Sequence, residues 1–275
     1  MGTGGRGLSG WVDPHARLRQ ALDKDELALY GQPIHALRDS GAQPMAEILV
    51  RLREEEMALL PPGEFLPVFE RFGMMPELDN WVLRRLLRHL MGAAQAQRFC
   101  INVSRQSLLK AQLPKLFAEQ VKLTGVRAAS VVFEIDESDL LAERQAAVDF
   151  MLQVRAAGGG IAVDGFGRKS VSFTPLERLR PDFVKVDGTI VRQLLKNPAC
   201  ARKFGAILRF CGLKQIGVIA ECVEEDDVLA RLKLLGAGYA QGFGIAVPRP
   251  MGELLLRDPG VGLQKAGSLG RPLPR

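Results

Sequence analysis

The sequence predicts a single α/β domain folded as a TIM-like (β/α)8 barrel. Three observations predict it. The chain has 275 residues, which suits a barrel of about 250 residues with short extensions. Short apolar runs alternate with longer amphipathic stretches through about eight units. Lone polar residues sit within or just after those runs, and a barrel builds its site at the C-terminal ends of its strands.

The apolar runs are Leu27–Pro33, Ala46–Leu52, Phe99–Val103, Val131–Ile135, Ile161–Val163, Phe183–Val186, Gly217–Ala220 and Gly238–Gly242. Several are rich in β-branched residues and most lack polar–apolar alternation, as parallel strands covered on both faces do. Glu64–Arg71 and Asp79–His89 carry apolar residues at helical spacing. Arg144–Ala157 and Val228–Leu235 are helical too, closing at Gly158–Gly160 and at Gly236. The glycine triplet therefore reads as a helix end and turn, not a phosphate loop. A doubly wound open sheet is the alternative. It favours a Gly-rich turn after the first strand, and none follows Leu27–Pro33. Residues 1–15 and 257–275 read as tails or linkers, which leaves 16–256 as the folded domain.

Composition excludes several classes. Apolar residues make up 47% and charged residues 25%, as in ordinary globular proteins. No apolar run approaches the ~18 residues of a membrane span, and Met1–Gly10 lacks the apolar core of a secretory leader. Cys100, Cys200, Cys211 and Cys222 show no C-x-x-C spacing, so they read as thiols of a reducing compartment, the cytoplasm. His15, His35 and His89 form no metal motif. The net charge of +6 sits mostly in the two ends. A folded basic face for a nucleic acid polymer is therefore not expected.

The polar residues are Glu47, Asn102, Glu134, Asp164, Lys185, Glu221 and Gln241. Any one of them taken alone reads best as a satisfied buried group. At corresponding places in successive units they read as a site, because each is costly in an apolar strand unless paired or metal-bound. Four are carboxylates, so the ligand set is all oxygen and favours magnesium or manganese over zinc. Carboxylates with a lysine suit metal-assisted attack of water on a phosphate ester.

These residues resemble the EAL domain, a bacterial cyclic di-GMP phosphodiesterase module, from about Ala16 to Pro250. Glu47-Ile48-Leu49-Val50-Arg51 resembles its name motif, and Gln32-Pro33 its first-strand Q-P pair. Pro62-Gly63-Glu64-Phe65-Leu66-Pro67 is similar to P-x-E-F-I-P, and Ile101-Asn102-Val103-Ser104 to N-L-S. Phe133-Glu134-Ile135-Asp136-Glu137-Ser138 is similar to L-E-L-T-E-S, and Lys185-Val186-Asp187 to K-I-D. Ala220-Glu221-Cys222-Val223-Glu224 resembles A-E-G-V-E, and Gln241-Gly242-Phe243 resembles Q-G-Y.

The resemblance implies roles. Glu47, Asn102, Glu134 and Asp164 would hold a first metal. Lys185 would activate or position the attacking water, and Glu221 would act near a second metal. Arg51, Gln32 and Pro67 would line the ligand's place, Arg51 on a phosphate. Glu137, Asp187, Glu224 and Gln241 would support the site, Glu137 by anchoring the loop after the fifth strand. The reaction would open cyclic di-GMP to linear pGpG. The resemblance also implies that the first strand can run antiparallel.

One motif departs strongly from the pattern, and Ile48 and Cys222 are milder changes where Ala and Gly are usual. Where the family has D-D-F-G-T-G, this chain has Asp164-Gly165-Phe166-Gly167-Arg168-Lys169. The second carboxylate is missing and two cations have entered. One Mg or Mn site is therefore expected, with the second impaired by Gly165. The domain is expected to be weakly active or inactive, a cyclic di-GMP receptor or an interaction module, with an active phosphodiesterase as the alternative. Arg168 or Lys169 standing in for an ion's charge is a further option beside a solvated loop. The family pairs through the loop at residues 165–180, so a homodimer is expected to be weak at most. A sensor domain in a longer protein, or another protein, is the remaining expected partner.

Overall fold

The computed structural model describes residues 11–38, 44–54, 58–92, 97–169 and 171–255. Its strands are β1 (Leu27–Ala36), β2 (Met45–Glu54), β3 (Ala58–Leu60), β4 (Arg98–Val103), β5 (Val131–Asp136), β6 (Gly160–Phe166), β7 (Phe183–Val186), β8 (Gly217–Ala220), β9 (Tyr239–Ala240) and β10 (Arg249–Pro250). Eight of them close a barrel in the order β1, β2, β4, β5, β6, β7, β8, β9 and back to β1. β3 extends β2 and β10 extends β1 outside the ring. The expected single-domain barrel is what forms.

β1 runs antiparallel to both barrel neighbours, while β2 and β4 to β9 run parallel. It also runs on through Pro33 to Ala36, further than the apolar run suggests. Pro33 falls between the residues paired to β10 and those paired to β9. A residue without an N–H is tolerated at such a handover. Its pairing with β2 sets Gln32 opposite Glu47.

The helices sit where periodicity places them, with longer starts. Pro62–Arg71 and Met75–Leu90 each begin around a proline that fits the first turn. Helix Arg144–Ala156 stops before Gly158, and helix Asp226–Leu235 stops at Gly236. Helix Pro14–Asp23 starts ahead of the expected domain boundary. Asp13 caps it, and Trp11 packs on the core. Residues 11–15 therefore belong to the fold, not to a tail. Residues 1–10 and 256–275, the rest of the expected tails, lie outside the described residues.

The barrel interior is filled in two layers. Ile34, Met45, Cys100, Val132, Ala162, Phe183 and Ile219, with Tyr239 packed against them, form an apolar plug. Each barrel strand supplies one of these residues. Side chains two apart share a strand face, so the plug dictates what comes next along the same inner face. A separate, larger core lies between the barrel and its helices and takes the alternate residues, such as Ile101, Phe133 and Val184.

Candidate active site

Two residues beyond each plug residue stands a polar one: Glu47 after Met45, Asn102 after Cys100, Glu134 after Val132, Asp164 after Ala162, Lys185 after Phe183, Glu221 after Ile219 and Gln241 after Tyr239. On antiparallel β1 the order reverses, and Gln32 precedes Ile34. All eight barrel strands thus contribute to one polar layer seated on an apolar floor. The seven residues singled out in the sequence are all in it.

Lys185 organises the layer. It is 1% exposed. Its Nζ lies 2.8 Å from Glu47 Oε2, 2.9 Å from Glu134 Oε2, 3.2 Å from Glu221 Oε1 and 3.4 Å from Asp164 Oδ1. Gln241 donates to Glu47 Oε2 at 2.7 Å and to Gln32 Oε1 at 3.1 Å, while Gln32 donates to the Ala246 carbonyl at 3.0 Å. Asn102 donates to Glu47 Oε1 at 2.9 Å. Glu47 is therefore fully engaged and held rigidly.

Four carboxylates around one ammonium leave an excess of negative charge. Burial works against the charged ammonium, yet Glu134, Glu47, Asp164 and Glu221 outweigh it and hold Lys185 well above the usual lysine range. Burial raises Glu134 well above the usual carboxylate range, with Glu47 and Asp164 adding to it and Lys185 opposing. Burial and the same kind of repulsion push Glu221 up to about 8. For Glu47, Lys185 and the amide donors overcome burial and lower its pKa. The layer can meet its charge excess in two ways: protonate some carboxyls, or take up a cation.

The donor set fits a hard cation. Glu134 Oε1 and Gln241 Oε1 are buried with no hydrogen-bond partner, and Asp164 Oδ1 has only the Lys185 ammonium at 3.4 Å; such oxygens are costly unless something donates or coordinates. Among the described residues no three His, Cys, Asp or Glu side chains form a ready-made cage, because the carboxylates converge on Lys185. An ion would share them with the ammonium.

The other expected residues lie around this layer. Glu137 accepts the Gly167 N–H at 3.1 Å, from the loop after β6, the fifth barrel strand. Asp187 caps the short helix Gly188–Val191 and accepts from Arg168 Nε at 2.8 Å. Arg51 lies on β2, donates to the Val50 carbonyl and stacks 5.5 Å over Tyr30. Pro67 is exposed inside helix Pro62–Arg71, and Glu224 is exposed after β8. Among the described residues, Arg51, Pro67 and Glu224 make no hydrogen bond or ion pair to the polar layer.

Sequence reading gave no role to Asp79, Asp136 or Cys100. Asp79 Oδ2 accepts from Ser104 N at 3.0 Å and from the Ser104 and Ser107 hydroxyls at 2.6 Å each, bracing the turn after Asn102. Asp136 ends β5 and pairs with Arg168 at 3.2 Å. Cys100 lies in the plug beneath Glu134. Burial first, then the nearby carboxylates, lift its thiol well above the usual range. The S-x-x-S spacing of Ser104 and Ser107 was the one signal available for the Asp79 brace.

A family model described as the EAL domain matches residues 15–248, and the chain belongs to the EAL family. It is 34% identical over 238 residues to the cyclic di-GMP phosphodiesterase PdeB of Shewanella oneidensis, covering 86% of this chain and 28% of that protein. It is 30% identical over 242 residues to the cyclic di-GMP phosphodiesterase PdeF of Escherichia coli, covering 87% of this chain and 32% of that one. The chain thus spans 28% and 32% of the length of these two relatives. Among solved structures, the PaMucR phosphodiesterase in complex with c-di-GMP superposes with a TM-score of 0.79 at 27% identity, covering 88% of this chain and 99% of that one. The FimX EAL domain from Pseudomonas aeruginosa bound to c-di-GMP gives 0.78 at 26% identity, covering 86% and 96%. No described helix is long and apolar enough to cross a membrane.

Proposed function

We propose that this EAL domain binds cyclic di-GMP over the barrel mouth with a single Mg or Mn ion, and cleaves it weakly or not at all. It would serve as a receptor or regulatory module of a longer signalling protein in the cytoplasm. The observation that carries the reading is the turn after Asp164. Gly165 brings no carboxylate, and the Arg168 guanidinium lies in the space its side chain would enter. A site with one ion lacks the clamp on both attacking and leaving oxygens that a two-ion site has.

Glu47, Asn102, Glu134 and Asp164 would hold the ion. When bound, it would polarise a phosphoryl oxygen and make a nearby water more acidic. Lys185, kept protonated by its carboxylates, donates hydrogen bonds and positions the groups around it. Glu221, with its pKa near 8, can take and release a proton close to neutral pH. Gln32 and Gln241 hold Glu47 in place. Arg51 offers a bidentate fork to a phosphate, with Pro67 at the ligand's edge. Glu137, Asp187 and Glu224 support the surrounding loops.

The completeness of the eight-residue polar layer favours a second reading, an active phosphodiesterase forming pGpG. Calorimetry with cyclic di-GMP in magnesium, manganese and chelator, paired with product chromatography, decides between them. Binding with little or no pGpG is expected. Rapid turnover supports the second reading, and no binding leaves a pure interaction module.

A further inference from the structure

The chain leaving β6 is folded around a guanidinium. Gly165 (φ +63°) and Gly167 (φ +84°) both take left-handed backbone, and Phe166 between them is buried. These reversals bring Arg168 back over its own turn, its N–H 3.3 Å from the Gly165 carbonyl. Its Nε donates to Asp187 Oδ2 at 2.8 Å and its Nη1 to Asp136 Oδ2 at 3.2 Å. Asp136 ends β5 and Asp187 follows β7. One side chain rooted after β6 therefore ties the ends of three consecutive strands, with Nη2 lying against Gly165.

We infer that Arg168 is a resident cation that fixes the turn Gly165–Lys169, and that Gly165 and Arg168 act as a pair that keeps a second divalent ion out. Asp136 and Asp187 face the same point, and like charges so placed repel unless a cation stands between them. Here that cation belongs to the chain, so the turn holds its shape whatever ions are dissolved. A carboxylate restored at 165 would meet the guanidinium first and be neutralised by it. Arg168 is thus a positioning residue, acting through Asp136, Asp187 and the turn. The inference deepens the proposed function and rests on its one-ion reading, not on its ligand.

The test uses the full chain and hydrogen exchange of residues 165–169, with Mn2+ stoichiometry from calorimetry. Exchange in the wild type is expected to be the same in chelator and in Mn2+. In Arg168→Ala it should speed up on the order of tenfold in chelator, the loss of a charge-assisted hydrogen bond, and slow again with Mn2+. Arg168→Lys, with charge but no fork, should fall between. Gly165→Asp alone should gain no second ion, whereas Gly165→Asp with Arg168→Ala should gain one. Unchanged exchange in Arg168→Ala, or a second ion in Gly165→Asp alone, overturns the inference. If the double variant folds poorly, the chelator response of Arg168→Ala decides. If the wild type fails to bind cyclic di-GMP, the functional reading falls, and the exchange data still judge Arg168.

Discussion

The Lys185 ammonium lies 2.9 Å from Glu134 Oε2, and both side chains are shut off from water. Removing one partner of such a pair leaves the other uncompensated. Lys185→Met should cost about 3–5 kcal/mol in urea unfolding. The loss should grow as pH rises, because Glu134 can escape its buried charge only by staying protonated. A variant as stable as the wild type at pH 8 would show that the carboxylates need no internal cation.

Glu134→Gln keeps the shape of the layer and removes one carboxylate. A single Mn2+ per chain is expected in the wild type by calorimetry. The variant should bind it at least ~10-fold more weakly, since even outer partners of a metal site are worth that much. Two ordered ions in crystals soaked with metal and ligand would contradict the one-ion site.

Arg51→Ala tests the ligand's phosphate contact. A charge-assisted hydrogen bond is worth roughly 1.5–3 kcal/mol, so the Kd for cyclic di-GMP should rise by at least ~10-fold. Unchanged affinity would make Arg51 only a partner of Tyr30.

Asp79 tests the brace behind Asn102. Asp79→Ala strands the Ser104 N–H and two hydroxyls, and should cost about 2–3 kcal/mol. Asp79→Asn can leave an oxygen at the accepting position and should cost much less. Burial raises the Asp79 pKa despite its three donors. A raised pKa means stability present at low pH and lost as pH climbs through the folded value. Stability measured against pH should therefore move in favour of Asp79→Asn as the wild-type carboxyl ionises. A difference independent of pH would rule out that titration.

Self-association should be weak. The turn at Gly165–Lys169 is occupied with its own Arg168 contacts. Sedimentation at micromolar concentration should show mainly monomer, and a dimer persisting at nanomolar concentration would refute this.

Most of the barrel was legible because its two layers repeat in every strand. A buried strand carrying a charged residue among apolar ones, as Glu134 in Val131–Asp136 or Lys185 in Phe183–Val186, can be read from residue types alone. The antiparallel course of β1 could not be. Nothing in Leu27–Ala36 states a direction, and only the family resemblance suggested it. The Arg168 tie was equally hidden. It depends on left-handed backbone at Gly165 and Gly167, which turns Arg168, expected either in a solvated loop or in place of an ion's charge, back onto Asp136 and Asp187. Asp79 was out of reach because its partners lie on another element, 25 and 28 residues away in the chain. Arg51 and Pro67 were expected at the ligand's place, and among the described residues neither bonds to the polar layer.

The apolar floor has a consequence for traffic. Ile34, Met45, Cys100, Val132, Ala162, Phe183 and Ile219 stopper the barrel from below, so the polar layer is a well with one door. On the proposed function, ion, nucleotide and any product would all cross the same rim, where Arg168, Asp136 and Asp187 stand. A neighbouring domain resting on that rim would halt entry and exit together, without touching a single residue at the bottom of the well.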